Sequence, residues 1–229
     1  TGTSHAHSTA GCGRATGVAL VEGYGLTESA GVVSTNPYKG VNKTGSIGQP
    51  LPGTEVVIVD QNDPTRRMAR GERGEITVAG PQTMRGYWNR PDTLATTFVD
   101  GRLRTGDVGF IDEDGYIFIV DRIKDLILVG GFNVYPSVLE AQLYQHEAVK
   151  DAIVIGVPDP YLGERPKAFV TLNDGMDASA DALLAFLNAH VGKHERAVAV
   201  EIRTSLPKTM IGKLSRKDLI AQVRAEEGW

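Results

Sequence analysis

The chain has a single cysteine, Cys12, among 229 residues. No disulfide can therefore form within it, which fits a reducing compartment, and a cytoplasmic location is expected. No apolar run approaches the roughly 20 residues needed to span a bilayer as a helix, and no charged start followed by an apolar middle marks a signal peptide. An excess of positive charge is also missing. Lys and Arg number 24 against 28 Asp and Glu, for a net charge of −4, which argues against a broadly basic nucleic-acid binder, and no aromatic–basic interleaving supports one. Repeats and low-complexity segments are absent. His5 and His7 have no third ligand at a sensible spacing, so the small, polar stretch 1–17 reads as a poorly ordered tail and not a metal site. Its "GCGRATG" has neither the spacing nor the preceding strand of a dinucleotide fingerprint.

What is present is enough to fold. Hydrophobic residues make up 41% and charged residues 23%, and the length suits one large domain or two small ones. From Val18 to about Asp121 the pattern is of short strands between Gly and Pro turns: "VALV" (18–21), "EVVIVD" (55–60), "GEITVAG" (74–80), and a hairpin over 102–121 about Asp114-Gly115. "GQPLPG" (48–53) reads as a turn, and a short helix with Pro91 in its first turn is expected over 89–98. After Asp121 strands and helices alternate. Helices are expected over 136–146, 179–191 and 215–227, the last capped by Ser215. Strands are expected at "DLILV", "DAIVIGV", "KAFVTL" and "AVAVEI", and "GGFNVYP" reads as a loop. The expected class is α+β, a β-rich unit over 1–121 followed by a small α+β domain over 122–229, with the boundary near Asp121–Lys124.

Several turns carry groups suited to an anionic ligand. "GYGLTES" (23–29) packs two glycines, Thr27 and Glu28 into one turn after a strand. It could cradle a phosphate and a metal ion, or be a plain polar turn with Glu28 in water. "RTGDVG" (104–109) places Asp107 where it could accept ribose hydroxyls or simply bond its own backbone. "DRIKDLILVGGFNVYP" (121–136) begins with charges including Arg122 and Lys124, and its Gly130-Gly131 pair suggests a backbone lying against something narrow. In "LPKTMIGKLSRK", Lys213 sits where a loop meets a basic helix, as a reagent or as a solvated charge.

Taken in order with "GEITVAGPQTMRGYW", these stretches resemble the C-terminal part of the acyl-adenylate-forming enzymes, the acyl-CoA synthetase and luciferase superfamily, over about Val21 to Leu219. "NPY" after "LTES", with "GFNVYP" later, is most similar to bacterial medium- and long-chain fatty acid:CoA ligases. The resemblance implies an AMP-forming acid–thiol ligase working on a fatty acid with ATP, Mg²⁺ and coenzyme A, making acyl-AMP and then acyl-CoA. Peripheral membrane contact of the parent enzyme is compatible with lipid substrates, though no segment argues for it, and no oligomeric state is implied. By resemblance, Lys213 bridges carboxylate and phosphate oxygens, Thr27 contacts phosphate, Gly23 and Tyr24 hold adenine, Asp107 and Arg122 hold ribose or phosphate, and Glu28 is the Mg²⁺ ligand. Lys124 is the hinge about which the small domain swings, and Gly130 and Gly131 line the pantetheine tunnel.

The sequence also departs from the pattern. It has no "SGTTGxPKG"-like phosphate loop, so residues 1–121 are expected to be a remnant of the large domain, inactive alone and exposing apolar surface. His194-Glu195 in "GKHERAVAVEI" replace a Tyr-Lys pair, leaving Lys193 as a substitute for a coenzyme A contact or as part of a solvated loop. The alternatives are a ligase for short, dicarboxylic or aromatic acids, and a non-catalytic nucleotide- or CoA-binding module.

Overall fold

The computed structural model describes residues 21–229. The tail 1–17, with Cys12, His5 and His7, and all but the last residue of the strand expected at 18–21 lie outside the described residues. The chain divides into two compact units, one ending at Lys124 and the other running Asp125–Trp229. The division falls after Lys124, because strand β8 (Ile117–Arg122) carries Asp121 and Arg122 into the first unit as partners of Val108 and Asp107.

Two sheets build the first unit. Strands β1 (Gly23–Leu26), β2 (Gly31–Thr35) and β3 (Gln49–Pro50) form a three-stranded antiparallel sheet. The stretch "GYGL", expected as a turn, is thus an edge strand, and "GQPLPG" opens with a short strand. The second sheet has β4 (Glu55–Val59), β5 (Gly74–Ala79), β7 (Arg102–Ile111) and β6 (Phe98–Val99) in that order, with β8 also on β7. Apolar residues of the two sheets meet in one core, in which Val33, Ile58, Ile76, Val78 and Ile117 are buried and Tyr24 packs against them. The helix expected over 89–98 is a 3-10 turn at Pro91–Thr93 running into α1 (Leu94–Thr97). The β7–β8 hairpin turns at Asp112–Tyr116, where Asp112 Oδ1 accepts from the amides of Asp114 (3.0 Å) and Tyr116 (2.8 Å).

The second unit is one five-stranded sheet sandwiched by helices. Its order is β10 (Phe132–Val134), β9 (Ile127–Val129), β12 (Gly163–Leu172) and β11 (Val149–Asp159), with β13 (Ala199–Ile202) parallel to β12. The expected loop "GGFNVYP" therefore contains a strand, with Gly130-Gly131 as the two-residue turn of the β9–β10 hairpin. In the run "DAIVIGV" the residues after Asp151 are all apolar because both faces of the strand are covered. Ala152 and Val154 face Leu139, Leu143, Leu183 and Leu187 of helices α2 (Pro136–Leu143) and α3 (Ala180–Ala189). The alternate residues Ile153, Ile155 and Val157, with Phe169, face Leu219 and Val223 of α4 (Arg216–Glu227). Burial of such side chains contributes about 2 kcal/mol each. Ser179 and Ser215 cap α3 and α4 by accepting from the amides of Ala182 (3.1 Å) and Asp218 (3.3 Å).

Candidate functional site

An open cleft of about 590 Å³ lies in the first unit. Its wall includes the carboxylates Glu28, Glu75 and Asp107 and the cations Arg104, Arg122 and Lys124. Four of the residues singled out from the sequence (Glu28, Asp107, Arg122 and Lys124) thus share one cavity, although they lie far apart along the chain. Gly23, Tyr24 and Thr27 are not part of its wall, though Tyr24 reaches Asp107 by a hydrogen bond.

Asp107 is presented by a bulge in β7. Glu75 of β5 pairs with Val108 while Thr77 pairs with Arg104, so Ile76 alone lies opposite Thr105, Gly106 and Asp107. The extra residues leave the ladder and turn Asp107 toward the cleft. Thr105 Oγ donates to the Ile76 carbonyl (2.8 Å) and accepts from the Asp107 amide (3.1 Å). The Gly106 amide, released by the bulge, donates to Glu75 Oε1 (3.1 Å). Glu75, itself buried, uses Oε2 for the Arg104 fork, at 2.9 Å from Nε and 2.7 Å from Nη2.

The Asp107 side chain is only 5% exposed. One oxygen accepts from the Tyr24 hydroxyl (2.5 Å) and the other pairs with Arg122 Nε (3.1 Å). Burial, and then the charge of Asp107, push the Tyr24 phenol well above its ordinary value, so it stays a donor. Each carboxylate oxygen has two lone pairs, so Asp107 keeps acceptor capacity for a ligand hydroxyl.

Thr27, Glu28 and Ser29 form the 3-10 turn between β1 and β2. Buried Ser29 pins it. Its hydroxyl accepts from the Leu26 amide (3.1 Å) and lies 3.0 Å from the carbonyls of both Leu26 and Gly31. With Ser29 turned inward, Thr27 is exposed and Glu28 half-buried. Glu28 Oε1 accepts from the Tyr87 hydroxyl (2.9 Å), and this bond raises the phenol's pKa. Among the described residues no group of three or more His, Cys, Asp or Glu side chains could hold a metal ion. A lone carboxylate nevertheless fits Mg²⁺ when it arrives on nucleotide phosphates, because that ion takes one or two carboxylates and keeps its waters.

Lys213, Gly130 and Gly131 belong to the second unit. Lys213 is exposed, on a hairpin loop closed by the Lys208–Leu214 bridge, where its carbonyl accepts from the Thr209 amide (2.7 Å). Gly130 and Gly131 have φ of 57° and 87°. That left-handed backbone is what a two-residue hairpin turn demands and by itself accounts for the two glycines. Lys193 and His194 lie in a 3-10 turn (Lys193–Glu195), and the His194 ring stacks on Phe132, beside the glycines, at a centroid distance of 3.8 Å.

Sequence reasoning missed Ser29, Glu75, Arg104 and Tyr87. A signal existed for Glu75, a lone charge inside the apolar run "GEITVAG". Its partner could not be chosen without the register of β5 on β7.

Two family models match the chain. "AMP-binding enzyme" matches residues 5–88 and "AMP-binding enzyme C-terminal domain" matches residues 138–213, together more than half of the sequence. The chain belongs to the AMP-binding enzyme family. Among curated members of this family, a long-chain-fatty-acid–CoA ligase from Bacillus subtilis (strain 168) is 46% identical over 91% of this chain and 37% of its own length. A feruloyl-CoA synthase from Amycolatopsis sp. is 41% identical over 89% of this chain and 41% of its own length. The crystal structure of ATP-bound MatB from Rhodopseudomonas palustris, 33% identical, superposes with a TM-score of 0.88 over 97% of this chain and 44% of that one. The chain therefore spans less than half the length of each of these relatives.

Proposed function

We propose that this chain carries the nucleotide-handling part of an AMP-forming fatty acid:CoA ligase. The observation that carries the reading is the cleft in which Asp107, tied to Tyr24 and Arg122, shares a wall with Glu28 and Lys124. The identity to long-chain-fatty-acid–CoA ligases over nearly the whole chain supports it. In the first half-reaction a carboxylate oxygen bonds to the α-phosphorus of ATP as the bond to the pyrophosphate leaving group breaks. In the second, the thiol of coenzyme A loses its proton and bonds to the acyl carbon while AMP departs.

The chain's own residues have defined tasks in this reading. Asp107 accepts from the ribose hydroxyls, held rigid by Tyr24 and Arg122, so the nucleotide meets a preorganised acceptor. Gly23 and Tyr24 lie beside the base, and Thr27 contacts a phosphate oxygen. Glu28 would hold Mg²⁺, whose charge offsets that of the phosphates. Lys213 bridges the carboxylate and α-phosphate oxygens, where negative charge is greatest in the transition state. Lys124 is the hinge, and rotation there exchanges Lys213 for the Gly130-Gly131 turn, which admits pantetheine.

The test is fatty-acid-dependent exchange of pyrophosphate into ATP. It is run on a hybrid of this chain with the N-terminal portion of the Bacillus subtilis relative, which supplies the phosphate loop the sequence lacks. Exchange should be abolished in Lys213→Ala and Asp107→Ala; exchange at the parental rate in both variants would reject the reading. The 229 residues alone should bind AMP in calorimetry without turnover. A second reading, a ligase for aromatic acids, is favoured by the identity to feruloyl-CoA synthase. The two part at the acid that drives exchange in the natural enzyme, a fatty acid or ferulate.

A further inference from the structure

Lys213 stands on a loop whose tip is bare: Met210 and Ile211 are fully or largely exposed. Its stem is anchored. Leu206 is buried, the Ser215 amide donates to the Pro207 carbonyl (2.8 Å), and Lys208 Nζ pairs with Asp151 Oδ2 (2.9 Å) on β11. The strongest anchor is Arg216, the first residue of α4 and three positions past Lys213. Its guanidinium is only 17% exposed and reaches three separate elements. Nε donates to the Val154 carbonyl of β11 (3.1 Å), Nη2 to Glu140 of α2 (2.6 Å), and Nη1 pairs with Asp125 Oδ2 (3.2 Å).

Asp125 is the first residue of the second unit and follows Lys124 directly. We infer that Arg216 is a positioning residue that couples the Lys213 loop to Asp125, so that the segment leaving the hinge and the loop bearing the reactive lysine move as one piece. This rests on the assignment of Lys213 and Lys124 above. A rotation at Lys124 begins at Asp125, and the Asp125–Arg216 ion pair ties that residue to the base of the Lys213 loop. An Arg at this place suits the task because its fork satisfies several acceptors at fixed angles, which a lysine cannot do. The neighbouring Glu140, buried, accepts through Oε1 from both the Val154 amide (2.8 Å) and Arg216 Nη2 (2.6 Å), and so holds Arg216 against β11.

Two arms test this. On the 229-residue chain, hydrogen exchange is followed in Asp125→Asn and Arg216→Lys, and Asp125→Asn leaves the Arg216–Glu140 pair intact should the other variant fold poorly. Amides of residues 208–214 should exchange faster in both variants, while those of Ile153–Ile155 keep their protection. Unchanged exchange over 208–214 would overturn the inference whatever the enzyme does. On the hybrid enzyme, both variants should slow pyrophosphate exchange by about ten- to a hundred-fold, the range expected when a reacting group is misplaced by about 1 Å. Conversion of preformed acyl-AMP to acyl-CoA should be unchanged, a split that a general loss of structure would not produce. If Lys213→Ala abolishes exchange while both variants match the parent, the coupling is wrong and the functional reading stands. If Lys213→Ala itself has no effect, the reading fails and the inference falls with it.

Discussion

Asp107 shows how much of this site depends on single hydrogen bonds. Its carboxyl group is buried, and Tyr24 and Arg122 each supply a partner to one of its two oxygens. Removing one partner leaves the oxygen it bonded short of a donor. Tyr24→Phe should lower stability by about 1–2 kcal/mol and weaken AMP binding, because the freed carboxylate can rotate away from the ribose; denaturant unfolding and calorimetry check the two effects. Asp60 offers a cleaner titration. Arg66, and then the amides of Asn62 (2.8 Å) and Asp63 (3.1 Å), hold its carboxyl down at about 2, against an ordinary 3.8. A group depressed in the folded state stabilises it above the ordinary value, and that contribution is lost as the pH falls from 3.8 toward 2. NMR titration of the Asp60 carboxyl carbon should show a midpoint near the lower figure, and in Arg66→Ala the midpoint should move up. Glu28, Asp107 and Lys213 could be singled out in the sequence only because their motifs resemble a known family; taken alone, each stretch left a plain polar turn or a solvated charge open. Their partners were not legible. Tyr87 meets Glu28, and Glu75 meets Arg104, only once strands far apart in sequence are in register.

At the scale of elements, local signals worked where the cause was local. The apolar run of "EVVIVD" bounded by turn residues, the Asp-Gly hairpin turn and the Ser caps are short-range physics, and the structure places the corresponding strands, turn and helices at those stretches. They failed where pairing decides. "GYGL" became a strand because β2 lies beside it, so close that a Cβ on Gly25 would fall 1.9 Å from the Gly31 carbonyl oxygen. Gly25→Ala must therefore separate β1 from β2, and it should cost at least about 2–3 kcal/mol while displacing the Thr27–Ser29 turn; a fall in Tm with loss of AMP binding is the expected pair of results. Gly131 is the opposite case. Nothing lies within 4 Å of a Cβ there, and only its φ of 87° resists a side chain. Asn tolerates that backbone, so Gly131→Asn should change stability by less than about 1 kcal/mol. If the turn also admits pantetheine, the same variant should slow conversion of acyl-AMP to acyl-CoA while pyrophosphate exchange persists. Equal rates in both half-reactions would confine Gly131 to a backbone role.

At the scale of the molecule, the two units differ in how fully each covers its own core. The second has two buried clusters, one on each face of its sheet, and an ion network on one side in which Lys167 meets Glu201 (3.0 Å) and Glu227 (2.5 Å), while Arg203 meets Glu201 (2.7 Å) and Glu226 (2.5 Å). Among the described residues, the first shows one smaller cluster and leaves Trp88 88% exposed, with Tyr38 and Val41 also largely uncovered. A unit with its own core, closed on both faces, should fold alone. Residues 125–229 expressed by themselves should therefore unfold cooperatively. The chain's two tryptophans allow this to be read separately, since Trp88 lies in the first unit and Trp229 in the second. Trp229 packs against the Ile153–Leu219 cluster and its Nε1 donates to Glu227 (3.0 Å), so its fluorescence reports the docking of α4. In Trp88→Phe the emission should follow a single transition that matches the isolated 125–229 segment. Should the Trp229 transition instead shift markedly when residues 1–124 are removed, the second unit draws stability from the first, and the hinge proposed at Lys124 could not act as a free joint between independently folded bodies.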